Sequence, residues 1–308
     1  MTADEIVSKN TLLPGGYEVL RAAERRLCEL VDVVGQPSSP DDVLAMDYAG
    51  IGDALCHDRL ILQHLVVKQG KRVTWIATQK VGCLFKDDVL MRVLEGFSNP
   101  FRIPVHGQLA LSHWLNVLFE ERFPNWTKFN ATHFVMSKYF GTHASNISDA
   151  FFKCCGVERD FFIKHSLRHL GLPPDDVKRP YLVLEYIGQS TGRSDPAQTQ
   201  NLVANLSKMG ISTVCVGPAD GYLAPGATMR LGINLYDTFS ILKGSMAMVG
   251  RSSGNQSLAC FLPNLPVFEV DVNWHISHRE CRLHPNTTTM GPDYPVQIPK
   301  LIVEKKLA

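Results

Sequence analysis

Three short segments carry residue types whose spacing could do chemistry. The first is Gly50-Ile51-Gly52-Asp53-Ala54-Leu55, set between a short apolar run and a helical pattern. Glycines let a backbone approach a ligand closely, and the opening turn of a helix supplies free N–H groups. A carboxylate at such a turn could take a proton from a substrate hydroxyl as a general base, and Asp53 could equally cap the helix. His57 lies four residues on, so a continuous helix would place it on the face of Asp53. It could meet an acceptor or a phosphate there, or serve as a partly buried polar residue.

The second segment, Gly188-Gln189-Ser190-Thr191-Gly192-Arg193-Ser194, follows one strand pattern and precedes a helix pattern. Small residues, hydroxyls and one Arg suit a diphosphate, with the Arg193 guanidinium able to clamp two oxygens. As a plain turn the segment would need no ligand. It has neither the Lys-Ser/Thr ending of a P-loop nor the Rossmann glycine fingerprint. The third segment, Val249-Gly250-Arg251-Ser252-Ser253-Gly254-Asn255-Gln256-Ser257-Leu258-Ala259, repeats the order strand, small-residue turn, helix. It is a second candidate anion site, and two such turns in one α/β domain could hold the phosphates and ribose of one nucleotide.

His275, His278, Cys281 and His284 fall at three-residue steps, and all four types can bind zinc. Three helical residues fall short of a full turn, so the four could not converge without distortion. With Arg279 and Arg282 interleaved, a basic strip facing phosphate or acceptor, or a solvated surface segment, accounts for them better, and no metal site is assigned. Trp114, Phe119, Phe123, Trp126 and Phe129 could line an acceptor pocket, although aromatics at this spacing generally form core.

The elements that must position these residues follow from hydrophobic periodicity. Helical spacing covers 17–34 and ends at Gly35-Gln36-Pro37-Ser38-Ser39-Pro40. A strand at 43–46, the first glycine turn, a helix at 54–69 and a strand at 73–77 make a βαβ unit, hence a parallel sheet. Helical patterns and short apolar runs alternate over 85–170, and Gly171-Leu172-Pro173-Pro174-Asp175-Asp176 reads as the linker. A second series has strands at 181–186, 212–216, 247–249 and 267–270, with helices at 195–209, 236–242 and 257–261. The expected architecture is α/β, with domains 1–172 (1–40 a helical extension) and 173–308.

With 308 residues, and roughly 150 per domain, about two domains are expected. Hydrophobic residues are 45% and charged residues 20%, an ordinary globular balance that builds full cores. A net charge of +1 disfavours a polybasic nucleic-acid binder while allowing a local basic groove. Mean hydropathy is −0.03, and no apolar run nears the ~20 residues that cross a bilayer. The polar start MTADEIVSKN is no signal peptide, and the eight scattered cysteines form no disulfide framework. A cytoplasmic protein with reduced thiols is expected, with room for peripheral attachment at the inner face of the membrane. Asn-x-Ser/Thr triplets at Asn125, Asn130, Asn146, Asn205, Asn255 and Asn286 are then coincidental.

Taken together, these segments resemble the ADP-heptose:lipopolysaccharide heptosyltransferase family of GT-B glycosyltransferases. The turn at Asp53 resembles that family's Gly-Asp turn after the first strand, whose Asp acts as base. Leu170-Gly171-Leu172 resembles its interdomain join, and 190–194 matches the donor-phosphate segment, with Arg193 in place of the usual Lys. Val249 to Ala259 with Leu265-Pro266-Val267-Phe268 resembles its Asp-Thr-Gly, helix and Pro-started strand. Where the family has Asp-Thr-Gly followed by His, this chain has Ser252-Ser253-Gly254 and Ser257, so its donor need not be ADP-heptose.

The resemblance implies two Rossmann-like domains facing a central cleft and an inverting, metal-independent transfer from a nucleotide-diphosphate sugar to a saccharide or glycolipid hydroxyl. It assigns catalysis to Asp53 and the acceptor side to Gly52 and His57. Donor binding goes to Gly188, Ser190, Thr191, Arg193, Ser252, Ser253, Gly254, Asn255 and Gln256. The nucleotide sugar is a co-substrate and no further cofactor is implied. Other readings are a transferase acting on hydroxymethylated DNA bases, a nucleotide-sugar epimerase, and a degenerate GT-B protein that only binds nucleotide or glycan.

Overall fold

The computed structural model describes residues 16–48, 51–96, 105–130, 176–185, 187–188, 192–217, 224–251, 254–262, 264–270 and 286–305. The chain divides into two compact units, Met1–Ser166 and Leu167–Ala308.

In the first unit, helix α1 (Gly16–Val34) has Leu20, Ala23, Leu27, Leu30 and Val34 at alternating steps of three and four, the spacing of one helical face. All five are 5% exposed or less, and they pack on Trp114, Leu115, Leu118 and Phe119 of helix α5 (Val105–Arg122) and on Phe123 just after it. Each such large side chain contributes about 2 kcal/mol of burial, an upper estimate. Helix α1 is therefore part of this core. The same packing decides the aromatic cluster: Trp114, Phe119 and Phe123 are core, and Trp126 donates its indole N–H to the Gly35 carbonyl.

Four strands, β1 (Asp42–Met46), β2 (Arg72–Ala77), β3 (Arg92–Glu95) and β4 (Thr127–Phe129), form a parallel sheet in the order β3-β2-β1-β4. Every residue of β1 is buried, as a central parallel strand covered on both faces requires. Between β1 and β2 the expected uninterrupted helix is replaced by three pieces: α2 (Ile51–Asp53), a π-helical turn over Ala54–Asp58, and α3 (Arg59–Gln69). Helix α3 stops at Gly70, whose φ of 67° is the left-handed value that glycine adopts without strain. Helix α4 (Gln79–Phe85) then leads to β3.

The second unit carries a six-stranded sheet in the order β12-β11-β10-β5-β8-β9, every neighbouring pair parallel. The strands are β5 (Tyr181–Glu185), β8 (Ser212–Gly217), β9 (Thr228–Leu231), β10 (Met248–Gly250), β11 (Val267–Glu269) and β12 (Thr287–Thr289). Counted within the sheet this is the doubly wound order 3-2-1-4-5-6 read in reverse, with the direction of winding reversing between β5 and β10. Strands β6 (Ile187–Gly188) and β7 (Gly192–Arg193) pair antiparallel as a separate hairpin.

Helix α6 (Pro196–Lys208) is capped by Asp195, which accepts from the Ala197 N–H at 2.8 Å, with Pro196 pre-set for the first helical position. Its Leu202, Val203 and Leu206 join Tyr294, Ile298 and Ile302 of helix α9 (Tyr294–Glu304) in one core cluster. Helix α7 (Leu235–Gly244) is capped by Asn234 and receives the Tyr181 hydroxyl on its Ile241 carbonyl at 2.7 Å. Helix α8 (Gly254–Leu258) begins three residues earlier than the expected 257–261 helix, which holds a 3₁₀ turn over Ala259–Phe261 instead.

Candidate functional site

Open α/β sheets bind ligands beyond the carboxyl ends of their strands, where the winding reverses. Each unit has one such place.

In the first unit it lies beyond β1 and β4, neighbours in parallel register Val43↔Thr127, Leu44↔Lys128 and Ala45↔Phe129. Past β1 come Asp47, 1% exposed and donating its backbone N–H to the Ile76 carbonyl, and Tyr48, fully buried. Past β4, Asn130 is 4% exposed, and its side-chain amide donates to the Asn116 oxygen at 3.3 Å. Gly52 and Asp53 lie in α2, directly after this strand end, where the sequence placed them. The side chains of Asp53 and His57 lie outside what is described. Asp53 closes α2 and His57 lies within the π-helical turn that follows, so the backbone joining them is not the continuous α-helix expected from sequence.

Behind this corner is a charged pair that sequence reasoning missed. Arg59, the first residue after the π turn, bonds Asp88 at 2.6 Å, and neither side chain has any exposure. The guanidinium also reaches Gln63 Oε1 at 3.3 Å and lies over the Phe85 ring at 5.4 Å. Asp88 in turn accepts the Leu90 N–H at 2.8 Å. Burial pushes the Arg59 pKa below its ordinary value, and the charge of Asp88 opposes that shift. A lone Arg among helix apolars gave no sign of its partner.

In the second unit the place lies beyond β5 and β10, in register Met248↔Val183, Val249↔Leu184 and Gly250↔Glu185. The two segments expected to hold a donor follow these two neighbouring strands. At Gly250 an added Cβ would stand 2.7 Å from the Glu185 carbonyl oxygen, so the two backbones approach as only glycine permits. Three charged residues lie along this edge: Glu185 at 3% exposure, Arg251 at 9% and Glu269 at 2%, with Gln256 and Ser257 also buried. None of the three was picked from sequence. The signal available was an acid closing an otherwise apolar strand, as in Leu182-Val183-Leu184-Glu185. Carboxylates here can accept from hydroxyls, and a guanidinium can donate to an oxyanion.

The segment 188–194, expected as a turn between strand and helix, belongs to a short hairpin in which Gly188 pairs with Gly192 and Ile187 with Arg193. An antiparallel pair satisfies backbone groups that a plain turn would leave to solvent. The N-terminus of α6 carries its own Asp195 carboxylate, so that helix end is already capped. Ser190, Thr191, Ser252, Ser253 and the side chains of Arg193 and Asn255 lie outside the described residues, as do 170–172 and the segment from His275 to His284. Gly254 and Gln256 lie in α8. Cys215 of β8 is buried with its thiol pushed up to about 12, a core residue without nucleophilic character.

No family model matches the chain, and no curated protein matches it by sequence. Solved structures do. The family 9 glycosyl transferase of Veillonella parvula DSM 2008 superposes with a TM-score of 0.55 at 11% identity, over 89% of this chain and 94% of that one. The E. coli heptosyltransferase WaaC with ADP gives 0.54 at 12% identity, over 86% and 98%. The dodecameric iron-containing glycosyltransferase TibC of enterotoxigenic E. coli H10407 gives 0.54 at 14% identity. The fold is GT-B. The match covers 80% of this chain but only 62% of TibC. No described helix is long and apolar enough to cross a membrane.

Proposed function

We propose that this chain is a glycosyltransferase that moves a sugar from a nucleotide-diphosphate sugar to an acceptor hydroxyl. The observation that carries the reading is that the 188–194 and 250–256 segments follow two neighbouring strands, β5 and β10, at the reversal point of the sheet, on a fold shared with a heptosyltransferase solved with ADP. In this reading the diphosphate lies against those two segments, with Arg193 as the nearest cation, and Gly188, Ser190, Thr191, Ser252, Ser253, Gly254, Asn255 and Gln256 around it. Asp53 takes the acceptor proton as the acceptor oxygen attacks the anomeric carbon. The bond from that carbon to the β-phosphate oxygen breaks, and the nucleoside diphosphate leaves with its charge met by N–H groups and Arg193. Attack opposite the leaving group inverts the anomeric centre. Gly52 and His57 border the acceptor, a saccharide or glycolipid.

The test is a thermal-shift screen with ADP-, UDP-, GDP-, TDP- and CMP-linked sugars, each with and without EDTA. A ligand at 100 times its Kd raises stability by about 2.7 kcal/mol, so a true donor stands out. One nucleotide class shifting the melting point, unaffected by EDTA, is the expected result. A shift that EDTA removes overturns metal independence, a live question since TibC contains iron. No shift with any nucleotide favours a protein that has kept the fold and lost the reaction, in line with Ser252, Ser253 and Ser257 replacing the family's Asp, Thr and His.

A further inference from the structure

The stretch after Asp53 poses a problem of rotation. Asp58, Arg59, Leu60, Ile61, Leu62 and Gln63 are all 5% exposed or less, so this part of the helix is enclosed on every side. Consecutive apolar residues at 60–62 define no face, and turning the helix by one position would still bury them. Apolar packing therefore does not select a rotation. The Arg59–Asp88 pair does, because a buried guanidinium must meet its carboxylate, and only one rotation brings the two to 2.6 Å. Ion pairs of this kind add little stability over apolar side chains of equal volume, and their best-attested use is to fix register.

The π turn multiplies the consequence. A π turn takes up one residue more than an α turn while leaving the flanking helix in phase. Asp53 therefore stands relative to Arg59 as if five α steps away, although six residues along. In an unbroken α-helix of the same sequence it would be rotated by about 100°. A turn of this rare type persists only where its surroundings over-determine it. Here the surroundings are the fully buried Ala54 and Leu55 within it and the Arg59 anchor directly after it.

We infer that Arg59 and Asp88 are positioning residues: the buried pair locks the register of the π turn and thereby sets the direction in which Asp53 leaves the helix. This rests on the reading of Asp53 as the base, and it deepens that reading by naming what aims the group.

The experiment uses the full chain with ¹³C-carboxyl-labelled aspartate, the Asp53 signal being the one lost in Asp53→Asn. Its titration midpoint is followed in Arg59→Met/Asp88→Leu, which removes both charges and leaves neither buried alone. The expected result is an unchanged or raised melting temperature with the midpoint displaced by about one pH unit, as the carboxyl moves to new surroundings. A midpoint identical to the wild type in that folded variant overturns the inference. A second pair of variants covers the case in which the double variant does not fold. Deleting Cys56 shortens the π turn to an α turn and keeps the phase, so the midpoint stays. Inserting Ala between Leu55 and Cys56 adds about 100° and moves it. Equal midpoints in both also overturn the inference. Because no ligand enters these measurements, they stand apart from the transferase reading, which fails on its own if Asp53→Ala retains transfer.

Discussion

The central strands of the two sheets are tied in different ways. At β1 the ties are charges. Asp42 bonds Arg72 at 2.6 Å and accepts from Ser38 and Ser39, Asp41 bonds Lys71 at 2.6 Å, and Arg59 bonds Asp88 behind the corner. At β5 and β10, beside the buried Glu185, Arg251 and Glu269, the ties include backbone contact and caps: the Gly250 backbone against the Glu185 carbonyl, the Tyr181 hydroxyl on Ile241, and Asp195 on the first turn of α6. The exposed pairs at Asp41 and Asp42 can be weakened by pH or salt with the fold intact, whereas a backbone approach changes only when a side chain is forced into it. The amino end of β1 is thus open to tuning by pH and salt, and the close approach of β5 and β10 is not.

The largest effect expected from this contrast is at Gly250. In Gly250→Ala the new methyl stands 2.7 Å from the Glu185 oxygen, a main-chain atom that cannot swing aside. Separating β5 from β10 should cost about 2–3 kcal/mol. The loss should not depend on ionic strength, and the nucleotide-induced thermal shift should vanish with it. A urea midpoint within error of the wild type would break the claim that backbone approach holds this corner.

The same contrast explains what was legible beforehand. Strands β1, β2, β5, β8, β10 and β11 stand out as apolar runs because they are buried on both faces, and their expected limits fall within one or two residues of those found. Edge strands did not. Strand β3 has the exposed Arg92, β9 the exposed Thr228, and β12 ends on the exposed Thr289, so their strand character comes from a neighbour's register and not from their own pattern. The positions of the 188–194 and 250–256 segments were readable from strand, glycine and helix order. That they follow neighbouring strands required the parallel pairing of β5 with β10, set by residues some sixty-five apart in sequence. The π turn was invisible for a related reason. Its register depends on Asp88, 29 residues from Arg59, and no local pattern encodes that partnership.

A smaller effect is expected at the cap of α6. Asp195→Ala removes the acceptor for the Ala197 N–H and exposes an uncapped first turn, at a cost of about 1 kcal/mol read from the urea midpoint. Asp195→Asn keeps the acceptor while removing the charge and should recover most of that loss. If Asn fails where Asp succeeds, the charge rather than the cap is what matters, and the second sheet is less distinct from the first than the contrast states.

The most delicate test lies at Asp42, where the first sheet's dependence on charge should show as a pH dependence. The bond from the Arg72 guanidinium, aided by the Ser38 and Ser39 N–H groups, holds the Asp42 carboxyl well below its usual range, against the opposing push of burial. A carboxyl whose pKa is lowered by folding binds protons more readily when unfolded. Its contribution is therefore complete above the unfolded value of 3.8 and shrinks as pH falls below it. Asp42→Asn should lower the melting temperature at neutral pH, and the gap to the wild type should close progressively on acidification below that value. Added salt should narrow the gap as well, since Arg72 is 60% exposed and its charge is screened. A gap constant from neutral pH into that acid range would mean that Asp42 acts as a neutral hydrogen-bond acceptor for the Ser38–Ser39 turn. In that case β1 is held, like β5, by local geometry, and the Asp41–Lys71 and buried Arg59–Asp88 pairs would remain to set the two sheets apart.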